Sequence, residues 1–141
     1  EYKGAVYMYV KFDNGAGNVA SVNNQAAYWK DRNLGDVTSD KTDNQCGAAL
    51  PAGVAGIFQG VVTDGRYTWI QRRGYRAKVR LNGAGAAGSK VHAPASDTDL
   101  TLTTVADVSA AGAAIPAERV ATQLAAADGS NDAACYLMIM S

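Results

Sequence analysis

Hydrophobic and polar positions alternate most clearly between Tyr75 and Leu81. Tyr75, Ala77, Val79 and Leu81 fall on one face, and Arg76, Lys78 and Arg80 on the other. Period two with a single apolar face predicts an antiparallel strand, half buried and half solvated. Upstream, Val54–Thr63 is apolar at nearly every position. Gly56 and Gly60 inside it weaken a helical reading. Thr63-Asp64-Gly65-Arg66 is a turn signal, and Tyr67, Thr68, Trp69 and Ile70 beyond it are strong strand formers. A break at Arg72-Arg73-Gly74 separates that run from the alternating one.

The rest of the chain extends the β pattern. Ala5–Phe12 predicts a strand with Val6, Met8 and Val10 on one side and Tyr7 and Tyr9 on the other. Both sides are apolar or aromatic, so the strand is expected to be covered on two faces. Residues 13–52 read as a polar arm or loop insertion, with a short helix over 24–32 capped by Asn23 or Asn24. Leu100–Val105 alternates as a strand. Val120–Ala127 is ambiguous between helix and strand. Asp128–Asp132 reads as a hairpin loop, and Ala134–Met140 as a closing buried strand. Seven or eight strands with short turns place the chain in the all-β class: one compact antiparallel barrel or sandwich-like domain over residues 1–141, carrying a long arm in its N-terminal half.

Composition narrows what such a domain does. A chain of 141 residues with 48% hydrophobic content buries a core, but its Ala and Gly load makes that core thin per residue. A partner surface or oligomerisation is then expected to add stability. A formal net charge of zero argues against a general nucleic-acid binder. No signal-peptide pattern and no apolar run of membrane-span length is present. Cys46 and Cys135 are too few for a disulfide scaffold; two free thiols are the plainer expectation, and a pairing stays open.

Candidate chemistry is sparse. Gly83-Ala84-Gly85-Ala86-Ala87-Gly88 matches the dinucleotide fingerprint letter for letter. The residues after it run to Pro94 without a helix pattern, so the N–H groups needed for a pyrophosphate are not expected. His92, the single histidine, has no local nucleophile or acid to form a triad, and one His with two distant Cys does not make a structural zinc site. Asp36, Asp40 and Asp43 lack calcium-loop spacing, and Asp97 and Asp99 occupy a turn. No cofactor, metal or catalytic residue is therefore expected, and the chain is not read as an enzyme.

The basic cluster Arg72, Arg73, Arg76, Lys78 and Arg80 remains. It reads either as a solvated strand face or as a docking surface for an acidic partner, since the planar guanidinium pairs with carboxylates. Nucleic acid is a third option, with Tyr67, Trp69 and Tyr75 close by for stacking, but these aromatics are expected to fill the core.

The run from Val61 to Val79, VVTDGRYTWIQRRGYRAKV, resembles the small β-rich decoration (cement) proteins of tailed-bacteriophage heads. Gly88–Asp97 and Arg119–Ile139 are similar to later parts of that family, so the resemblance spans roughly Gly53 to the C-terminus. It implies that Val120–Ala127 is a strand paired with the last one. It also implies a virion protein on the outer capsid surface, bound between capsomers to the major capsid protein, as a dimer or trimer, without membrane or nucleic-acid contact. Arg72, Arg73, Arg76, Lys78 and Arg80, with Tyr28 and Trp29 of the arm, are the expected contact residues. The alternative is a carbohydrate-binding β-sandwich module of a host-facing fibre, with Trp29 and Trp69 stacking on sugar rings.

Overall fold

The structure is a computed structural model and describes residues 4–14, 21–40, 53–83, 85–92, 103–105 and 119–140. Cys46, Asp43, Asp97, Asp99 and Leu100–Leu102 lie outside the described residues, as do parts of the expected arm. Among the described residues every regular element is a strand. These are β1 (Val6–Phe12), β2 (Ala26–Asp31), β3 (Asp36–Thr38), β4 (Val54–Phe58), β5 (Tyr67–Arg80), β6 (Lys90–His92), β7 (Thr103–Val105), β8 (Arg119–Gln123) and β9 (Asp132–Met138). The sheet order is β1-β3-β2-β4-β5-β9-β8-β6-β7, and β1 also pairs with β5. That extra pairing closes β1, β3, β2, β4 and β5 into a five-stranded barrel, with the remaining strands extending from β5. All pairings are antiparallel except β1 with β3.

Two cores result, and β2 and β4 separate them. Ala27, Trp29, Ala55 and Phe58 pack with Val10, Phe12, Val37 and Ile70. Ala26, Tyr28, Val54 and Ile57 pack instead with Val79, Leu81, Val91, Val120, Cys135, Leu137 and Ile139. Strand alternation sends neighbouring side chains to opposite faces, so a wall shared by two cores is apolar throughout. This is why NQAAYWKDR is a strand and not the expected helix. Five consecutive β2 residues, Ala26–Lys30, are buried. Asn24 adopts φ 70° in the turn before the strand instead of capping a helix. The 13–52 segment is correspondingly not a free arm where it is described, because β2 and β3 are barrel staves. At its entry, Asp13 Oδ1 accepts a hydrogen bond at 2.8 Å from Lys30 Nζ, which partly offsets the burial of that ammonium.

The expected break at Arg72-Arg73-Gly74 is a bend inside one 14-residue strand. Pairing with β1 shifts by one between Tyr7↔Gln71 and Val6↔Arg73. Pairing with β9 shifts again between Arg76↔Cys135 and Val79↔Ala133. A bulge adds one residue and inverts the in-out parity beyond it. Val79 and Leu81 point into the core as expected, whereas Tyr75 and Ala77, assigned to the same face from the sequence, are exposed. Gly74 makes the bend possible. Its φ is +91°, and a Cβ there would sit 2.9 Å from Ala5 Cα and Gly4 O. Gly74→Ala is expected to cost about 2 kcal/mol or more, through a positive φ combined with a backbone clash. Thermal unfolding checks this: a Tm lowered by roughly 8 °C is expected, and an unchanged Tm would contradict the bend.

The C-terminal hairpin agrees with the strand reading of β8 and with the expected loop. Asp128 Oδ1 accepts hydrogen bonds from Ser130 N at 2.8 Å and Asp132 N at 3.0 Å. The N–H groups of Asp132 and Ser130 hold the Asp128 carboxyl below its ordinary range, with smaller contributions from Lys78 and Arg80. The glycine-rich segment after β5 turns into β6, a strand, so it lacks the helix that pyrophosphate binding requires.

Candidate docking face and groove

Strands β1 and β5 are antiparallel neighbours with Tyr7↔Gln71, Tyr9↔Trp69 and Lys11↔Tyr67 in register. Residues in register share a face. Val10 and Phe12 of β1 and Ile70 of β5 take the interior, which leaves Tyr9, Tyr67 and Trp69 outside, each more than half exposed. The three rings form one group. Tyr9 stacks on Tyr67 at 5.4 Å and 16°, and meets Trp69 at 4.9 Å and 48°. Ring contacts of this kind hold exposed aromatics in fixed orientations and contribute about 0.5–1.5 kcal/mol per pair. Further along, Tyr75 of β5 is opposite Tyr136 of β9, and both are also exposed. A row of aromatic side chains therefore crosses three adjacent strands on the outer surface.

A shallow groove of about 450 Å³ interrupts the row between its two ends. Tyr7 and Tyr75 form walls, and Gln71 lies between them. Gln71 is buried and donates through Nε2 to the carbonyls of Arg73 at 3.1 Å and Tyr75 at 2.9 Å, so it fixes the bend from below. Asn23, Asn24, Arg76, Ala77 and Lys78 complete the lining.

The residues expected at the site from the sequence separate into three groups. Tyr28 and Trp29 are buried, at 0% and 3% exposure, and belong to the two cores; they do not form a surface on this chain. Their expected role as exposed contacts is corrected by the double burial of β2. Three arginines are occupied internally. Arg72 Nε donates to Ala55 O at 3.2 Å, and burial, then Arg73 and Arg32, hold its pKa below the ordinary value. Arg76 donates to Gln59 Oε1, to Asn24 Oδ1 at 2.7 Å and Asn23 Oδ1 at 3.2 Å, and to the carbonyls of Phe58 and Lys78. Arg80 pairs with Asp132 at 2.6 Å, directly across β5 and β9. Arg73 and Lys78 remain exposed, with Arg73 Nη2 against Met140 Sδ at 2.9 Å. The basic cluster is thus not one solvated face.

The aromatics Tyr67, Trp69 and Tyr75, expected in the core, are on the surface instead. Tyr7, Tyr9 and Tyr136 were not singled out as surface groups. The one sequence signal for them is the recurrence of Tyr on a single parity in VYMYV, facing YTW in the same parity. It becomes informative once β1 and β5 are known to pair. His92 and Cys135 are buried; burial pushes the Cys135 thiol up to about 12, well away from reactive cysteines. Among the described residues no group of three or more His, Cys, Asp or Glu side chains could hold a metal ion, and no helix is long and apolar enough to cross a membrane.

The architecture defines a class: a small closed β-barrel whose wall is covered by a strand extension of the same sheet, with an aromatic outer face. A solved structure with a similar fold is the head fiber gp8.5 N base of bacteriophage phi29. It is similar to 97% of this chain over 98% of its own, with a TM-score of 0.55 and 10% sequence identity. At that identity the likeness is one of fold. No family model matches the chain, and no curated protein does.

Proposed function

We propose that this chain is a structural, non-enzymatic protein of a tailed-phage head. In this reading it docks on the outer surface of the capsid between capsomers and stabilises the shell. The observation that carries the proposal is the exposed, pre-ordered aromatic face of Tyr9, Tyr67 and Trp69, continued by Tyr75 and Tyr136. Tyr, Trp, Met and Arg are the residues enriched at interface cores, and contiguous exposed aromatic surface on a small domain marks an interaction site. The fold likeness to a head fiber base and the decoration-protein pattern of Val61–Val79 support this reading, in which the partner is the major capsid protein, contacted by several copies of this chain in a dimer or trimer. Stabilisation follows from linkage. A protein that binds only the assembled shell lowers the free energy of that state by RT ln(1 + [L]/Kd).

A glycan-binding module is the second reading, favoured by the exposure of Trp69 and weakened by the burial of Trp29. Tyr9 has Tyr67 stacked on one side and Trp69 tilted against it. The group is therefore a ridge of rings, with less open ring face than a sugar platform needs. Co-sedimentation separates the two. The purified chain is expected to pellet with expanded empty heads of the phage that encodes it, and to show no binding on a glycan array. Glycan binding without head binding would overturn the proposal.

A further inference from the structure

Arg76 carries a positive charge that no carboxylate among the described residues pairs with. Its five hydrogen-bond partners are amide or main-chain oxygens of Gln59, Asn23, Asn24, Phe58 and Lys78. Among the described residues the ion pairs are Lys30 with Asp13 and Arg80 with Asp132, and neither Arg76 nor Lys78 takes part in one. The Lys78 charge helps hold the Asp128 carboxyl below its ordinary range, but the two do not form an ion pair. Desolvating a guanidinium without a counter-charge is unfavourable, so the amide cradle fixes its position while leaving its net charge in place. With Lys78 exposed beside it, the described lining of the groove holds two cations and no anion.

The second observation is placement. The groove is flanked by Tyr75 of the aromatic row and by Tyr7, two residues along β1 from Tyr9, so any surface laid on the row crosses its mouth. Asn23 and Asn24 also line the groove; each uses its Oδ1 to hold Arg76, and the side-chain N–H groups are uncharged donors suited to peptide carbonyls. We infer that the groove receives the carboxylate side chain of an acidic peptide segment on the docking partner, with Arg76 and Lys78 as its counter-ions and Tyr7 and Tyr75 packing against its methylenes. This rests on the docking reading of the aromatic face. It adds the chemistry of the contact: an Asp- or Glu-bearing loop or arm of the partner. Charge complementarity selects an acidic segment, and the phenol walls with amide groups between them favour a peptide over a phosphate chain.

Heteronuclear NMR of the full chain at low ionic strength tests this with blocked tetraglutamate as the probe and tetraglutamine as its control. Tetraglutamate is expected to shift Tyr7, Tyr75, Arg76 and Lys78 selectively, and tetraglutamine is not. Lys78→Gln, an exposed substitution that leaves folding intact, is expected to weaken tetraglutamate binding about threefold, the size typical of one partly solvated charge pair. Absence of selective shifts at these residues, or binding unaffected by Lys78→Gln, overturns the inference. Tighter binding of tetragalacturonate or of an oligothymidylate than of tetraglutamate overturns the choice of a peptide. The result is independent of the head co-sedimentation. Chains that bind tetraglutamate but not heads keep the groove and lose the capsid, and the reverse outcome does the opposite.

Discussion

Tyr28→Ala is expected to destabilise the fold by about 4 kcal/mol, the usual range for truncating a fully buried aromatic. The corresponding fall in Tm is roughly 15 °C for a chain of this size. The reasoning starts from β2. Tyr28 is the largest side chain with no exposed surface, and it lies on the face of β2 that turns away from the barrel interior. There it fills the space between the barrel wall and the sheet formed by β5, β9, β8 and β6. Truncation would open a cavity lined by neighbours such as Ala26, Ala121 and Ala133, which are too small to collapse into it. Tyr136→Ala is the matched control, since Tyr136 is half exposed and a change there is expected to stay within about 0.5 kcal/mol. Urea unfolding of both variants checks the pair. Equal stabilities would mean that β2 is not a shared wall, and that the helix expected over 24–32 deserves to be reinstated.

The second large effect concerns binding. Replacing Tyr9 and Trp69 together by Ala is expected to weaken association with phage heads by about a hundredfold or more, because hot-spot aromatics at interface centres each contribute about 2 kcal/mol or more on truncation. Stability is expected to fall by about 1–3 kcal/mol, because the two ring contacts of Tyr9 are lost at about 0.5–1.5 kcal/mol each, which leaves the chain folded for the binding assay. The pair is more informative than the Arg76→Glu, Lys78→Glu double change suggested by the basic cluster. Arg76 ties the middle of β5 to the end of β4 and to the turn before β2 through Phe58, Gln59 and Asn24, so its replacement mixes folding with binding. Quantitative co-sedimentation together with thermal unfolding checks the prediction. Undiminished head binding by the Tyr9, Trp69 variant would remove the aromatic face from the account.

The sequence carried the all-β class and the main strands because β1 and β5 are rich in β-branched and aromatic residues, the second half of β5 alternates, and β9 is an apolar run bounded by a turn. It also marked the Asp128–Asp132 hairpin, whose Asp side chain caps its own turn. It did not reveal β2, since a strand buried on both faces loses its alternation, and AAYWK then resembles a short helix on propensity. It misplaced the outer face for a different reason. Periodicity says that two faces differ but not where a bulge exchanges them. The extra residue between Arg76 and Val79 turns Tyr75 outward while Val79 stays inside. Tyr9, Tyr67 and Trp69 were hidden by the same ambiguity, because both faces of VYMYV and RYTWI are apolar and only barrel closure decides which is interior. The arginines were conspicuous as charge, yet Arg72, Arg76 and Arg80 are committed to contacts made by residues far away in sequence, which no local pattern announces.

The most direct test of the account is electron cryo-microscopy of tailed-phage heads, from the phage to which the proposal assigns this chain, with the chain bound. The account predicts density for the barrel on the outer shell between capsomers, with Tyr9, Tyr67 and Trp69 turned toward the major capsid protein. Heads that carry the chain with this face toward solvent, or that do not carry it at all, would contradict it.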